Sequence, residues 1–196
     1  MGAAFALFET AIGWCGIAWN AYGLVGVQLP GAGAAETRAG ILGRFPAAEE
    51  RDPPPQVLRA MEGVAAVLRG EPSDLADIAL DMEGLPPFRR RVFEEARQVP
   101  AGATLSYGEL AARCGAPGAA RAVGQALGRN PFPLIVPCHR ILAAGGRPGG
   151  FTAPGGVALK LRLLGCEGVR PRPRSPRGTP PPPSATSGRR TPIWPA

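Results

Sequence analysis

Apolar residues are spaced in two different ways along this chain. Up to Leu29 they form short runs of strand length, Phe5 to Glu9, Ile12 to Asn20 and Tyr22 to Leu29, with Gly13, Gly23 and Gly26 at the expected turns or bulges. Runs this close together predict an antiparallel meander. From Gln56 the spacing becomes helical: Val57, Met61, Val64 and Leu68 recur at the helical period and the pattern stops at Gly70, which predicts a helix over 56–69. Between these regions Gly31 to Pro55 is turn-rich and reads as a linker, because its Gly-Ala-Gly segment lacks the strand-to-helix setting of a phosphate-binding loop. Leu75 to Leu80 reads as one more short strand. Residues 1–84 are thus expected to form a small α/β domain on a short antiparallel sheet, with no catalytic constellation of its own.

The second half is patterned for helices. Pro86-Pro87 opens one with Phe88, Val92, Phe93 and Ala96 on a single face, and Pro100 ends it. Ser106-Tyr107-Gly108-Glu109 has the form of a capping box, so a short helix is expected to run to about Arg113. Cys114-Gly115-Ala116 makes a turn and Pro117 to Leu127 a second helix, which together give a helix-turn-helix pattern. After a glycine-rich loop over 145–156, Val157 to Gly165 reads as an amphipathic helix with Leu159, Leu161, Leu163 and Leu164 apolar and Lys160 and Arg162 polar. The fold class is α+β: an N-terminal α/β domain over 1–84, a mostly helical domain over 85–168 and a tail over 169–196. The tail's Pro-Arg repeats and four consecutive prolines cannot bury enough apolar surface to fold, so disorder is expected there.

Charge sharpens this division. Residues 1–84 carry 5 basic and 11 acidic side chains, residues 85–168 carry 11 and 4, and residues 169–196 carry 6 and 0. A basic second half beside an acidic first suits a polyanion partner for the second half alone. Cys15, Cys114, Cys138 and Cys166 have no metal-ligand spacing, and a single histidine cannot complete a Cys/His zinc site, so no metal is expected. The cysteines do not read as a disulfide framework either, and a reduced, cytoplasmic setting is expected. Thr10 to Ala35 is free of charge over a length that could span a membrane, but Asn20, Gln28, Pro30 and frequent glycine favour a buried hairpin, and no membrane partner is expected.

The candidate chemistry sits in Asn130-Pro131-Phe132-Pro133-Leu134-Ile135-Val136-Pro137-Cys138-His139-Arg140, where a thiol adjoins the only histidine in the protein. A thiolate is the nucleophile and an ordinary thiol at neutral pH is mostly protonated, so something must remove the proton. Pro137 favours the start of a helical turn, which would bring free backbone N–H groups to Cys138. Neighbouring side chains diverge, so His139 is expected to reach the sulfur through a water. Taken alone, the pair reads first as a small core cysteine beside a satisfied histidine.

This stretch resembles the active-site segment of the O6-alkylguanine-DNA alkyltransferases, or methylated-DNA-protein-cysteine methyltransferases, in which Pro-Cys-His-Arg follows an Asn-Pro and an apolar run. The likeness is specific over about residues 86 to 168, loose before them and absent from the tail. Ala120-Arg121-Ala122-Val123-Gly124-Gln125-Ala126-Leu127 matches the family's recognition-helix motif. The resemblance implies a ribonuclease-H-like N-terminal domain and a role for each matching position. Cys138 becomes the nucleophile, His139 the base that acts through water, and Glu167 the group that orients His139. Tyr107 donates to the purine, and Asn130 ties the two helices to the active-site segment. Arg121 fills the stack vacated by a flipped nucleotide, while Tyr107, Ala122, Gly124 and Leu127 lie along the DNA. Main-chain carbonyls at Cys138 and Ile141 accept from the guanine amino group, and Phe151 and Thr152 line the lid.

The implied function is one-turnover, irreversible transfer of the methyl group of O6-methylguanine in double-stranded DNA to Cys138, with O4-methylthymine as a further substrate, by a monomer with no cofactor. The alternative is a module that recognises alkylated DNA and transfers nothing; relatives of that kind have tryptophan at the nucleophile position, and Cys138 argues against it. A coupled transcription regulator would need a metal-binding domain for which the chain has no cysteines, and a cysteine hydrolase would leave Arg121 and the basic half unexplained. Two departures stand out: Ala153-Pro154 is inserted in the lid, and Phe151 lacks the phenol hydroxyl usual in the family.

Overall fold

The computed structural model describes residues 2–71 and 73–172; from residue 173 on, the expected disordered tail lies outside the described residues. The charge-free opening stretch does become hairpins. Strands β1 (Ala4–Thr10), β2 (Gly13–Trp19) and β3 (Leu24–Gln28) form the predicted antiparallel meander, in spatial order β3-β2-β1. A two-residue strand β4 (Glu49–Glu50) adds to the far side of β1 in parallel. No helix among the described residues is long and apolar enough to cross a membrane.

Two expectations for this half need correction. Part of the supposed linker is a helix, α1 (Ala34–Arg44), which packs on the sheet through Ile41. Its sequence contains Gly40 and Gly43 and few apolar residues, so no periodicity announces it. The sheet supplies what the helix lacks: a Cβ on Gly16 of β2 would lie 2.8 Å from Ile41 Cγ1, so the bare glycine backbone makes the niche that Ile41 fills. The second correction concerns Leu75 to Leu80, where only Leu80 makes a bridge, to Leu24. Carbonyls that a strand neighbour would have taken go instead to one guanidinium, since Arg97 Nη2 donates to Leu75 O at 3.1 Å, to Ala76 O and to Ile78 O at 2.8 Å.

Helices α2 (Pro55–Arg69) and α3 (Pro87–Arg97) lie where their periods place them, and α2 ends at Gly70 in the left-handed conformation. Ser106 and Glu109 form the full capping box of α4 (Tyr107–Arg113). Its follower α5 (Ala120–Leu127) starts three residues later than the sequence suggests, because Gly118 at φ 89° holds the chain out of a right-handed helix after Pro117. A short parallel pair, β5 (Leu105–Ser106) and β6 (Ile141–Leu142), fastens the start of α4 to the stretch that follows Cys138, and α6 (Gly156–Cys166) closes the body against α2.

One buried cluster runs through both halves, from Ala4, Ile17 and Val64 to Val92, Phe93, Leu110, Val123 and Ile141. Phe93 of α3 meets Phe132 of the active-site segment edge to face, with ring centroids 6.4 Å apart. Each ring is almost fully buried. We therefore expect Phe93→Ala to destabilise the fold by about 3–5 kcal/mol, whereas Leu58→Ala, at a side chain 42% exposed on α2, should cost within about 0.5 kcal/mol; urea unfolding of both variants checks the contrast.

Candidate active site

The segment that carries the thiol is shaped by ties at both ends. Asn130 folds it back on itself: its amide Nδ2 donates to Val136 O at 2.9 Å and its Oδ1 accepts from Phe132 N–H at 2.9 Å. Inside the loop Leu134 is held at φ 74°, a conformation costly for a side-chain-bearing residue and here enforced by burial. The N-terminal half grips the same loop. Val27 N–H donates to Pro131 O at 2.8 Å, and Arg44 donates to Val27 O at 3.0 Å and to Pro131 O at 3.2 Å. After Pro137, Cys138–Arg140 form a single 3₁₀ turn that leads into β6.

Cys138 and His139 are both buried. Burial pushes the Cys138 thiol up, opposed by the Asn130 amide, the Lys160 charge and the backbone N–H groups of Cys138 and His139. The free N–H groups expected at the start of this turn are only partly available, because Cys138 N–H donates to Val136 O at 2.8 Å; desolvation prevails and the resting group is a thiol. The proton must be taken by a base at the moment of reaction.

The neighbouring side chains offer a group able to take it. Glu167, the C-cap of α6, points its carboxylate inward, where His139 Nε2 lies 3.0 Å from Oε1 and Arg140 makes three contacts at 2.7–3.1 Å. Burial resists ionisation of Glu167, yet the bonds from His139 and Arg140 prevail and hold its pKa at about 2. An ionised carboxylate can only accept, so Nε2 must carry the imidazole hydrogen. Nδ1 is then a bare lone pair, and it is buried with no hydrogen-bond partner among the described residues. Burial pushes the His139 pKa down, countered by Glu167 and reinforced by the Arg140 and Lys160 charges, so the ring is neutral at physiological pH. Arg140 in turn is anchored by Val99 O at 2.6 Å.

A cavity of about 270 Å³ opens in front of Cys138, lined by Tyr107, Gly124, Leu127, Gly128, Gly150, Phe151 and Thr152. Thr152 Oγ1 donates to Gly128 O at 3.1 Å and so fastens the lid to the end of α5. Burial, and then the negative charge of a Cys138 thiolate when one forms, push the Tyr107 pKa up, which keeps its hydroxyl a proton donor. A second cavity, of about 330 Å³, reaches Cys138 from the side of Arg44 and the inserted Ala153-Pro154.

The largest departure from the sequence reading is Lys160. Placed on the polar face of its helix by pattern, it is fully buried, while Leu161 is 42% exposed. Lys160 Nζ donates to Ile141 O at 2.6 Å and lies 5.7 and 5.9 Å from the ring centres of Tyr107 and Phe151. Burial lowers its pKa to about 8, against the opposing pull of a Cys138 thiolate, so it remains cationic at neutral pH. Ile141 O, one of the two carbonyls that the resemblance sets against the guanine amino group, thus gives a lone pair to Lys160.

Beyond the cavity a groove of about 880 Å³ runs past Ser106, Tyr107, Arg121, Gly124, Gln125, Ala143 and Ala144. Arg121 is exposed there and Ala122 is half-buried, while Leu127 is buried in the wall of the two cavities at Cys138. The structure thus brings together Tyr107, Cys138, Gly124, Leu127, Phe151 and Thr152 in one cavity wall, with His139 and Glu167 behind it and Arg121 outside. Sequence reasoning missed Lys160, Arg140 and Arg44. Arg140 was visible only as a letter of the motif; a lone lysine amid leucines in α6 was the one signal for Lys160. No group of three or more His, Cys, Asp or Glu that could hold a metal is found among the described residues.

Comparison with known proteins places the matched segment and the fold in one family. Residues 87–169 match the model of the 6-O-methylguanine DNA methyltransferase, DNA binding domain. A methylated-DNA–protein-cysteine methyltransferase of Methanothermobacter thermautotrophicus is 41% identical over 120 residues, 61% of this chain and 66% of the relative. A DNA base-flipping protein of Thermus thermophilus is 48% identical over 112 residues, 57% of this chain and 74% of its own length. The crystal structure of Mycobacterium tuberculosis O6-methylguanine methyltransferase superposes with a TM-score of 0.67 at 33% identity, covering 84% of this chain and 92% of the other, and its complex with DNA does so at 0.66. On the fold, the matched segment and these relatives, the chain belongs to the O6-methylguanine-DNA methyltransferase family.

Proposed function

We propose that this protein repairs DNA by taking the methyl group of O6-methylguanine onto Cys138, once per molecule. The observation that carries the reading is a buried thiol in the same short turn as a buried neutral imidazole, whose Nε2–H is fixed by Glu167 and whose Nδ1 is left as a base. Through a water, Nδ1 takes the thiol proton; the thiolate attacks the methyl carbon in line and the C–O6 bond breaks, its electron pair leaving with guanine. Tyr107 donates to the departing purine, and overall the proton lost by the thiol ends on guanine, so that neutral guanine and S-methylcysteine are the products. Lys160 holds its charge near the sulfur and its Nζ on Ile141 O, which favours the thiolate and fixes a carbonyl that faces the base.

The target atom lies inside the duplex, so the nucleotide must be rotated out into the cavity. In this reading α4 and α5 act as a helix-turn-helix, with Arg121 on the exposed face of α5 entering the vacated stack and Ala122, Gly124 and Leu127 following the backbone. Residues 85–168 form the transfer domain and residues 1–84 a ribonuclease-H-like frame, a reading supported by the three-strand meander with a parallel fourth strand. Duplex DNA carrying O6-alkylguanine is the partner of a monomer, and O4-methylthymine is a further candidate substrate.

Intact-mass measurement after mixing with duplex DNA that carries one O6-methylguanine should give a single methyl-sized increase per protein, mapping to Cys138 and absent from Cys138→Ala. DNA binding with no mass change would make the protein a recognition module instead. His139→Ala should slow single-turnover transfer by about 10²–10⁴-fold.

Lys160→Met, close in shape but uncharged, should slow transfer by about tenfold or more and raise the pH at which Cys138 reacts with iodoacetamide. An unchanged pH profile for the thiol would rule out the electrostatic role.

The Glu167 cluster also sets acid stability. A carboxyl whose folded pKa lies at about 2, below its ordinary value of 4.5, contributes stability above pH 4.5 that is lost as pH falls towards 2. The stability difference between the wild type and Glu167→Gln, followed by urea unfolding, should therefore shrink over that window by on the order of 1–2 kcal/mol once solvent screening is counted.

A further inference from the structure

A further cavity, of about 460 Å³, lies between the irregular stretch at Leu75, the end of α3 and the active-site loop. It is larger than either cavity that reaches Cys138, and its size is that of a small-molecule site. Leu75, Val99, Leu134 and Ile135, all buried, give it apolar walls. The charged groups on those walls are Arg97, Arg140 and the exposed Asp74.

Both guanidiniums have hydrogens left over. Arg140 is more than nine-tenths buried, and its Nε and Nη2 go to Glu167 while Nη1 goes to Val99 O. Each Nη carries two hydrogens, so one on each nitrogen has no acceptor among the described residues. Arg97 spends Nη2 on the carbonyls of Leu75, Ala76 and Ile78, while its Nε is buried with no acceptor among the described residues. Asp74 does not answer this surplus: its Oδ1 accepts from Ala76 N–H at 2.8 Å, and the carboxylate paired with Arg140 is that of Glu167. The bonds that use part of each guanidinium also hold it in place, so a ligand would meet forks that are already oriented.

Leftover donors on two cations above apolar walls define the class of ligand. A carboxylate is planar and matches a guanidinium fork with two oxygens. A doubly charged oxyanion would have to give up more hydration against leucine and isoleucine than a single carboxylate does. We infer that this cavity binds a small organic carboxylate with a branched apolar body, its oxygens on Arg97 and Arg140 and its hydrocarbon against Leu134 and Ile135. The site needs neither Cys138 nor the groove beside Arg121, so it is independent of the DNA-repair reading. Arg140 nevertheless links it to Glu167, and an occupant would sit one side chain away from the group that orients His139.

The test uses the full-length protein without DNA. Sodium 4-methylpentanoate is titrated in at constant ionic strength while the methyl signals of the Ile, Leu and Val side chains are followed by NMR. The signals of Leu75, Val99, Leu134 and Ile135 should shift along a saturable curve, and the uncharged 4-methylpentanamide should leave them in place. Arg97→Gln should weaken binding by about tenfold or more, the loss of a charge-assisted hydrogen bond. Ala101→Phe, at an exposed position on the cavity wall, should abolish the shifts by filling the space, and it leaves the bonds of Arg97 intact should Arg97→Gln fail to fold. Shifts that do not saturate, that the amide or sodium sulfate reproduces, or that persist in an Ala101→Phe protein with an otherwise native spectrum would overturn the assignment.

Discussion

The reactive end of this molecule depends on one carboxylate. Glu167 caps α6, an unfavourable place for a negative charge because the carbonyl end of a helix is itself negative. It is held there by Arg140 and His139, neither of which could be buried so deeply without it. An unpaired guanidinium in the core would cost several kcal/mol, so the Cys138–Arg140 turn, the end of α6 and the backbone at Val99 stand or fall together. The same bonds decide the tautomer of His139 and hence which nitrogen is basic. Structure and chemistry are here two consequences of one ion pair.

Around that pair the site separates charge storage from charge release. A thiol with a raised pKa is inert in the resting protein, which suits the single-use nucleophile proposed above. Lys160 supplies the opposite sign within the same apolar surroundings, so a thiolate, once formed, finds a cation already in place and needs no reorganisation to be stabilised. Tyr107 and Phe151 cover the lysine with their rings, which keeps water from it and gives the lid a reason to rest against α6.

The N-terminal half carries none of these groups but is not a passive addition. Its β3 edge and Arg44 converge on a single carbonyl, that of Pro131, at the bend where Asn130 turns the active-site loop. Phe132, the next residue, is locked against α3. The loop therefore approaches Cys138 from a point fixed by both halves, and the continuous core leaves no plane along which one half could shift without disturbing the other.

Much of this was legible in the sequence because it depends on local rules. The meander strands, the capping box at Ser106 and the helices α2 and α3 could be named from spacing and motif, whereas the Cys138, His139 and Glu167 set came from the family resemblance, since Glu167 by itself reads as an ordinary exposed glutamate. What could not be read depended on long-range partners. Helix α1 exists because Gly16, on a distant strand, leaves room for Ile41. The stretch from Leu75 to Leu80 is irregular because Arg97 takes its carbonyls. Lys160 looks like a surface residue in a pattern that counts polarity alone. Its burial is decided by where the Ile141 carbonyl and two aromatic rings meet it in space, and no periodicity along one helix contains that information.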